Sequence, residues 1–207
     1  MAQDHFHGGH LHGESEGKLR TVAIIVALAN LAYFFVEFGM AQRIGSVSLF
    51  ADSADFLEDA AVNFLVVVAL GWSLLWRART GFVLAGIALM PALLALWTAW
   101  IKVSTGTPPD AFALGLTGAG ALIVNIGCAI LLAKNHQHGG SLGKAAYLCA
   151  RNDAFANVAI IAAGLVTSSW ISIWPDVIVG LGIFLINLDA AKEVLDAARD
   201  EHREANA

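Results

Sequence analysis

Six mainly apolar stretches, five of twenty residues or more and a last one of fourteen, follow one another along this chain, and no other feature limits its fold as strongly. A helix that crosses a bilayer needs about 20 such residues, because it rises about 1.5 Å per residue through roughly 30 Å of hydrocarbon. The stretches run from about Thr21 to Met40, Val47 to Ser73, Gly81 to Ile101, Ala111 to Ala133, Leu142 to Thr167 and Pro175 to Leu188. The connections are short. Two carry turn signals, Thr107-Pro108-Pro109-Asp110 and Gly139-Gly140-Ser141. Pro91 marks an expected kink in the third helix. No strand-like alternation is visible. The expected fold is therefore all-α: a polytopic membrane protein of six transmembrane helices.

The composition agrees. Of 207 residues, 57% are hydrophobic and 14% charged, where a soluble domain carries about a quarter charged. The net charge of −5 and the lack of a long basic run argue against nucleic acid as a partner. Cys128 and Cys149 both fall in apolar stretches and suggest no disulfide framework. The first twenty residues are polar and lack the apolar core of a cleavable signal peptide. Lys18, Arg20, Arg77, Arg79, Lys134, Lys144, Lys192, Arg199 and Arg203 all fall on one predicted side; Arg43 and Lys102 stand on the other. By the positive-inside rule, both termini are expected in the cytoplasm. The six tryptophans lie near predicted helix ends, as interfacial aromatics should. Three parts follow: a His-rich disordered tail over 1–17, a transmembrane domain over 18–189, and a short charged helix or tail over 190–207.

Charge inside such a segment is costly, so it points to function. Asp52, Asp55 and Asp59 fall within one narrow face of the second helix. Stacked acids repel unless a cation or proton lies between them. Asp52 also suits the first turn of a helix, where the dipole favours an acid. Asp55 and Asp59 have no such alternative, because Ala60 to Gly71 runs on almost without charge. Glu58 lies to one side and is an expected partner of Arg151. On the fifth helix, Cys149, Asp153 and Asn157 share a face at i, i+4 and i+8. Asp55, Asp59 and Asp153 supply three oxygens. Cys149 or Asn157 would complete a tetrahedral shell for zinc or a similar ion. Cys149 also reads as a small residue that lets helices approach, and Asn157 as a group that orients its neighbours.

At these residues the chain resembles the cation diffusion facilitator family. The family has an Asn and a Glu in helix one, here Asn30 and Glu37. It has a Gly-Ser turn, here Gly45-Ser46, and a D-x-x-x-D pair in helix two, here Asp55 and Asp59. Arg79-Thr80-Gly81-Phe82, Asn125, Cys149 with Asp153-Ala154, and Trp174-Pro175-Asp176 are further echoes. The resemblance covers about Lys18 to Asp189. It implies a transport site at Asp55, Asp59, Cys149 and Asp153, with Cys149 where the family often has His or Asp. The family usually carries a cytoplasmic metal-binding domain after helix six. About nineteen residues remain here, so a short form is expected, and a homodimer would be held by the membrane part or the tail. His5, His7, His10, His12, His136 and His138 lie on the cytoplasmic side and suit weak cation capture.

The expected function is efflux of a divalent transition metal, most of all Zn²⁺, across the inner membrane. Alternating access would exchange the metal for protons. The metal is the substrate, and no cofactor is required. The other reading is a membrane metal sensor or scaffold that binds without transport. No H-E-x-x-H or G-x-S-x-G motif is present, so an enzyme is not expected.

Overall fold

A computed structural model describes the backbone of residues 6–69 and 74–188, with side chains over 20–65, 92–134 and 152–188 and at a few other positions. The described residues form α1 (Phe6–Ile44), α2 (Val47–Ala69), α3 (Leu74–Thr105), α4 (Ala111–Ser169) and α5 (Trp174–Leu188), with no strand among them. The all-α expectation holds.

α4 is helical over 59 residues, about 88 Å if it were straight. It is not straight. A Cβ added to Gly118 would stand 2.8 Å from Ile160 Cγ2, and one on Gly164 would stand 2.9 Å from the Gly115 nitrogen. In a straight helix Gly118 and Ile160 would lie about 63 Å apart. The chain therefore doubles back, and both pairings centre on Gly139 and Gly140, the turn marked in the sequence. α4 contributes two antiparallel arms, and the described chain forms six helical rods.

The stops and starts have local causes. α1 ends at Gly45, whose φ of 61° suits a residue without a Cβ. The Ser46 amide then reaches back to Ala41 O at 3.0 Å, a Schellman closure. Gly106, at φ 67°, ends α3 in the same left-handed conformation. Its amide donates to Lys102 O at 2.8 Å. Asp110 opens α4 by accepting from the Ala113 amide at 2.7 Å, a side-chain N-cap after two prolines.

Two boundaries differ from the sequence expectation. α1 begins at Phe6, so residues 6–17, expected to be disordered, are helical. Extending a helix that already exists costs little beside nucleating one. α3 begins at Leu74 rather than Gly81, taking Arg77 and Arg79 into its first turns. The Arg79 guanidinium lies 5.6 Å over the Trp76 ring, a cation–π contact that suits a helix surface. The helix continues through Pro91. Residues 190–207, expected to be a charged tail, lie outside the described residues.

α2 is the hub, packed against α1, α3 and α4. Its apolar side joins Leu114 and Ile160 of α4 and Val177 and Ile183 of α5 in the main core. Outside that core the usual distribution is inverted. Ile171 is 81% exposed, Phe112 78% and Ile123 72%. Asn30, Glu37, Asp52, Asn125, Asn157 and Asp176 are buried. Among the described residues, two helical stretches, Arg20–Ile44 and Ala111–Lys134, are long and apolar enough to cross a membrane.

Candidate functional site

The best-built polar assembly fixes the N-terminus of α2. The first four amides of a helix lack partners within it. Here all four are satisfied. Asp176, from the first turn of α5, accepts from the Val47 amide at 2.9 Å and the Ser48 amide at 3.1 Å. Ser46 Oγ accepts from the Leu49 amide at 3.1 Å, and Ser46 O from the Phe50 amide at 3.4 Å. The hydroxyls of Ser46 and Ser48 also donate to Asp176, at 2.7 and 2.6 Å. Lys102 Nζ, at the end of α3, donates to Asp176 at 2.8 Å. Both charged groups are buried. A buried carboxylate with five donors, one of them a neutralising cation, is fully matched. This knot ties α2, α3 and α5 at one end of the bundle, and it sets the register of the helix that carries the acids.

From there α2 presents Asp52, Asp55 and Asp59 along one face, as the spacing predicts. Asp55 is 9% exposed. It stands close to Asn187 of α5, whose Nδ2 is buried and makes no hydrogen bond of good geometry. Asp59 accepts from Asn30 Nδ2 at 3.4 Å. Its carboxylate meets that of Asp153, from the second arm of α4. Asn157 Nδ2 donates to the Asp153 carbonyl at 2.8 Å, one turn back along the same helix. That leaves Asn157 Oδ1 buried without a partner. Four rods thus bring Asn30, Asp55, Asp59, Asp153, Asn157 and Asn187 into one region.

The carboxylates face that region without closing on a point. Among the described residues, no group of three or more His, Cys, Asp or Glu side chains stands close enough to share a metal ion. Asp59 and Asp153 meet as a pair, and Asp55 turns toward Asn187. The residues could hold a metal after the three carboxylates draw together; their oxygens and the free Asn157 Oδ1 are the right donors for a borderline cation. A cavity of about 470 Å³ reaches the acids from the side. Asp55, Asp153 and Asn187 line it, and its rim is exposed at Asn152, Phe155 and Ile186. It lies at the far end of α5 from Asp176.

Several expectations fall outside the described side chains. Cys149, His136 and His138 lie on α4, and His7, His10 and His12 on α1, where only the backbone is described. His5 is not described at all, and the expected Glu58–Arg151 pair involves an undescribed side chain. Other groups were missed. Cys128, read only as part of an apolar stretch, points its Sγ at Asn30 Oδ1, 3.8 Å away, and is close to Asp59 and Asp153. Among the described residues, the thiol beside the acids is thus on the first arm of α4. Its spacing from Asn125 was the available sign. Asn187 sits eleven residues after Asp176 on the same face of α5, which places it one helix length inward.

No known protein-family model matches the chain, and no curated protein matches it.

Proposed function

We propose that this chain is a six-span membrane transporter for divalent transition-metal cations, Zn²⁺ foremost, which exchanges metal for protons. The observation that carries the reading is a set of buried acids, Asp55, Asp59 and Asp153, inside a bundle whose outer surface is apolar. Among the described residues no Lys, Arg or His pairs with them. A soluble fold has no reason to keep such acids unneutralised, and their burial is costly in any medium of low polarity. A mobile cation or proton supplies the missing charge. The resemblance to cation diffusion facilitators at Asn30, Glu37, Gly45-Ser46, Asp55, Asp59 and Asp153 supports the same function, with the chain placed in the inner membrane as a homodimer.

The chemistry is one of exchange. Metal binds the ionised carboxylates, and protons compete for the same oxygens. The cavity at Asp55 and Asp153 supports access from the Asn187 end, and the Asp176 knot supports closure at the other. Transport would alternate these two conditions.

Zn²⁺ uptake into proteoliposomes with an imposed pH gradient tests the reading, with wild type beside Asp153→Ala. Flux that follows the gradient and is lost in the variant is the expected result. Zinc binding without flux in either protein would establish a sensor or scaffold instead.

A further inference from the structure

Two more acids stand on the Asp176 side of the site just described, and nothing yet invoked uses them. Glu37 of α1 and Asp52 of α2 are both 0% exposed. Their carboxylates are near neighbours across the α1–α2 contact. All four oxygens lack a hydrogen-bond partner. Asp176 makes the contrast. It is equally buried, yet it has four donors and a lysine. This bundle matches a buried carboxylate where the charge is structural, and it leaves this pair unmatched.

Among the described residues, the surroundings supply no donor. Tyr33, one turn before Glu37, is close to both acids. Its hydroxyl is committed to the Thr117 carbonyl at 2.7 Å. Its ring stands 5.0 Å from that of Phe56, one turn beyond Asp52, and Phe38 stands 5.5 Å from Phe50. Tyr33 and Phe56 thus form an aromatic pair one turn away from each acid along its helix. Two neighbouring carboxylates in such a place need a cation or a proton between them. If each bound through both oxygens, a cation would find four oxygen ligands, a set that suits a hard or borderline divalent ion.

We propose that Glu37 and Asp52 form a second binding site for the transported divalent cation. It is an exit station between the Asp55, Asp59 and Asp153 site and the end closed by Asp176. This rests on the transporter reading. Asp52 precedes Asp55 by three residues, about 4.5 Å along the helix axis, and Asp59 by about 10.5 Å. An ion leaving the first acids meets this pair within a single short step, and like charge between two bound ions would favour release of the outer one.

The test counts ions on the purified full chain by equilibrium dialysis against Zn²⁺ alone. Glu37→Gln and Asp52→Asn should each bind one ion fewer per chain than wild type. Asp153→Ala should lose a different one, so that Glu37→Gln with Asp153→Ala loses two. Zinc held by the histidines is common to all variants and cancels. The double variant Glu37→Gln with Asp52→Asn replaces the pair by two amides able to bond each other, so it folds even if a single variant does not. If it binds as many ions as wild type, the pair holds no metal and the proposal is overturned, whatever Asp153→Ala does. If Asp153→Ala loses nothing while Glu37→Gln loses one, the second site stands and the site at Asp153 falls.

Discussion

Asp59 and Asp153 meet across two helices with only a 3.4 Å contact from Asn30 beside them. A carboxylate pair held this way has a charge to exchange, and removing one member removes the reason for the ion to stop there. Asp59→Asn should therefore lower Zn²⁺ flux at least about tenfold, equivalent to about 1.4 kcal/mol of binding, with normal membrane insertion. Undiminished flux would sink the site. Asp176 invites the opposite experiment. Lys102→Met leaves a buried carboxylate unpaired and should cost about 3–5 kcal/mol of stability. Adding Asp176→Asn should recover part of that loss, since the amide oxygen can still accept from the Ser48 amide and the Ser46 and Ser48 hydroxyls, while its Nδ2 replaces the oxygen that faces the Val47 amide. Thermal unfolding of the three variants in detergent decides; an additive double variant would mean that the ion pair is not the cause. Asp55, Asp59 and Asp153 were legible from the sequence because charge inside an apolar run has few explanations. The Lys102–Asp176 bond was not, because the residues are 74 positions apart. Lys102 reads in isolation as an outer-loop cation, and only the fold reveals that α3 ends beside the start of α5.

Helices meet closely where glycine lets them. A Cβ on Gly180 of α5 would stand 2.7 Å from the Ser48 nitrogen and from the Val47 carbonyl carbon, both backbone atoms that cannot swing aside. Gly180→Val should therefore push α5 from the start of α2 and disturb the hydrogen bonds of Asp176. A loss of about 1–3 kcal/mol follows from overpacking alone. Gly182→Val, where a Cβ would meet nothing within 4 Å, is the matched control. Equal melting temperatures for the two would contradict the packing. Element ends with strong local chemistry were readable in advance: the Gly45-Ser46 turn, the Pro108-Pro109-Asp110 start of α4, and the fold-back at Gly139-Gly140. The helical start at Phe6 was not. The polar, glycine-interleaved segment before Lys18 has low helix propensity of its own and takes its conformation from the apolar helix that it continues.

At the scale of the molecule, the six rods run antiparallel in sequence. The start of α1 and the end of α5 therefore lie at one end, and the Gly45 turn, Gly106 and Trp170 lie at the other. The charges sort the same way. Lys18, Arg20, Arg79 and Lys134 stand at the first end, and of the two cations at the other, Lys102 is neutralised by Asp176. The asymmetry is thus sharper in three dimensions than a count of loop charges suggests. Trp97, Trp100, Trp170 and Trp174, all exposed, gather at the second end, at the level an interfacial belt would occupy. These facts fix what a topology experiment in cells should find. With Cys128 buried and Cys149 replaced by serine, a single cysteine at Thr107 should react with a membrane-impermeant maleimide from outside. One at Ser141 should react only after the cells are opened. Labelling of both from the same side would mean that the first arm of α4 does not cross the membrane, and the six-span transporter reading would fail with it. The reversed pattern would keep six spans while turning the molecule over. The cavity at Asp55 and Asp153 would then open outward, and the proposed direction of metal movement would reverse.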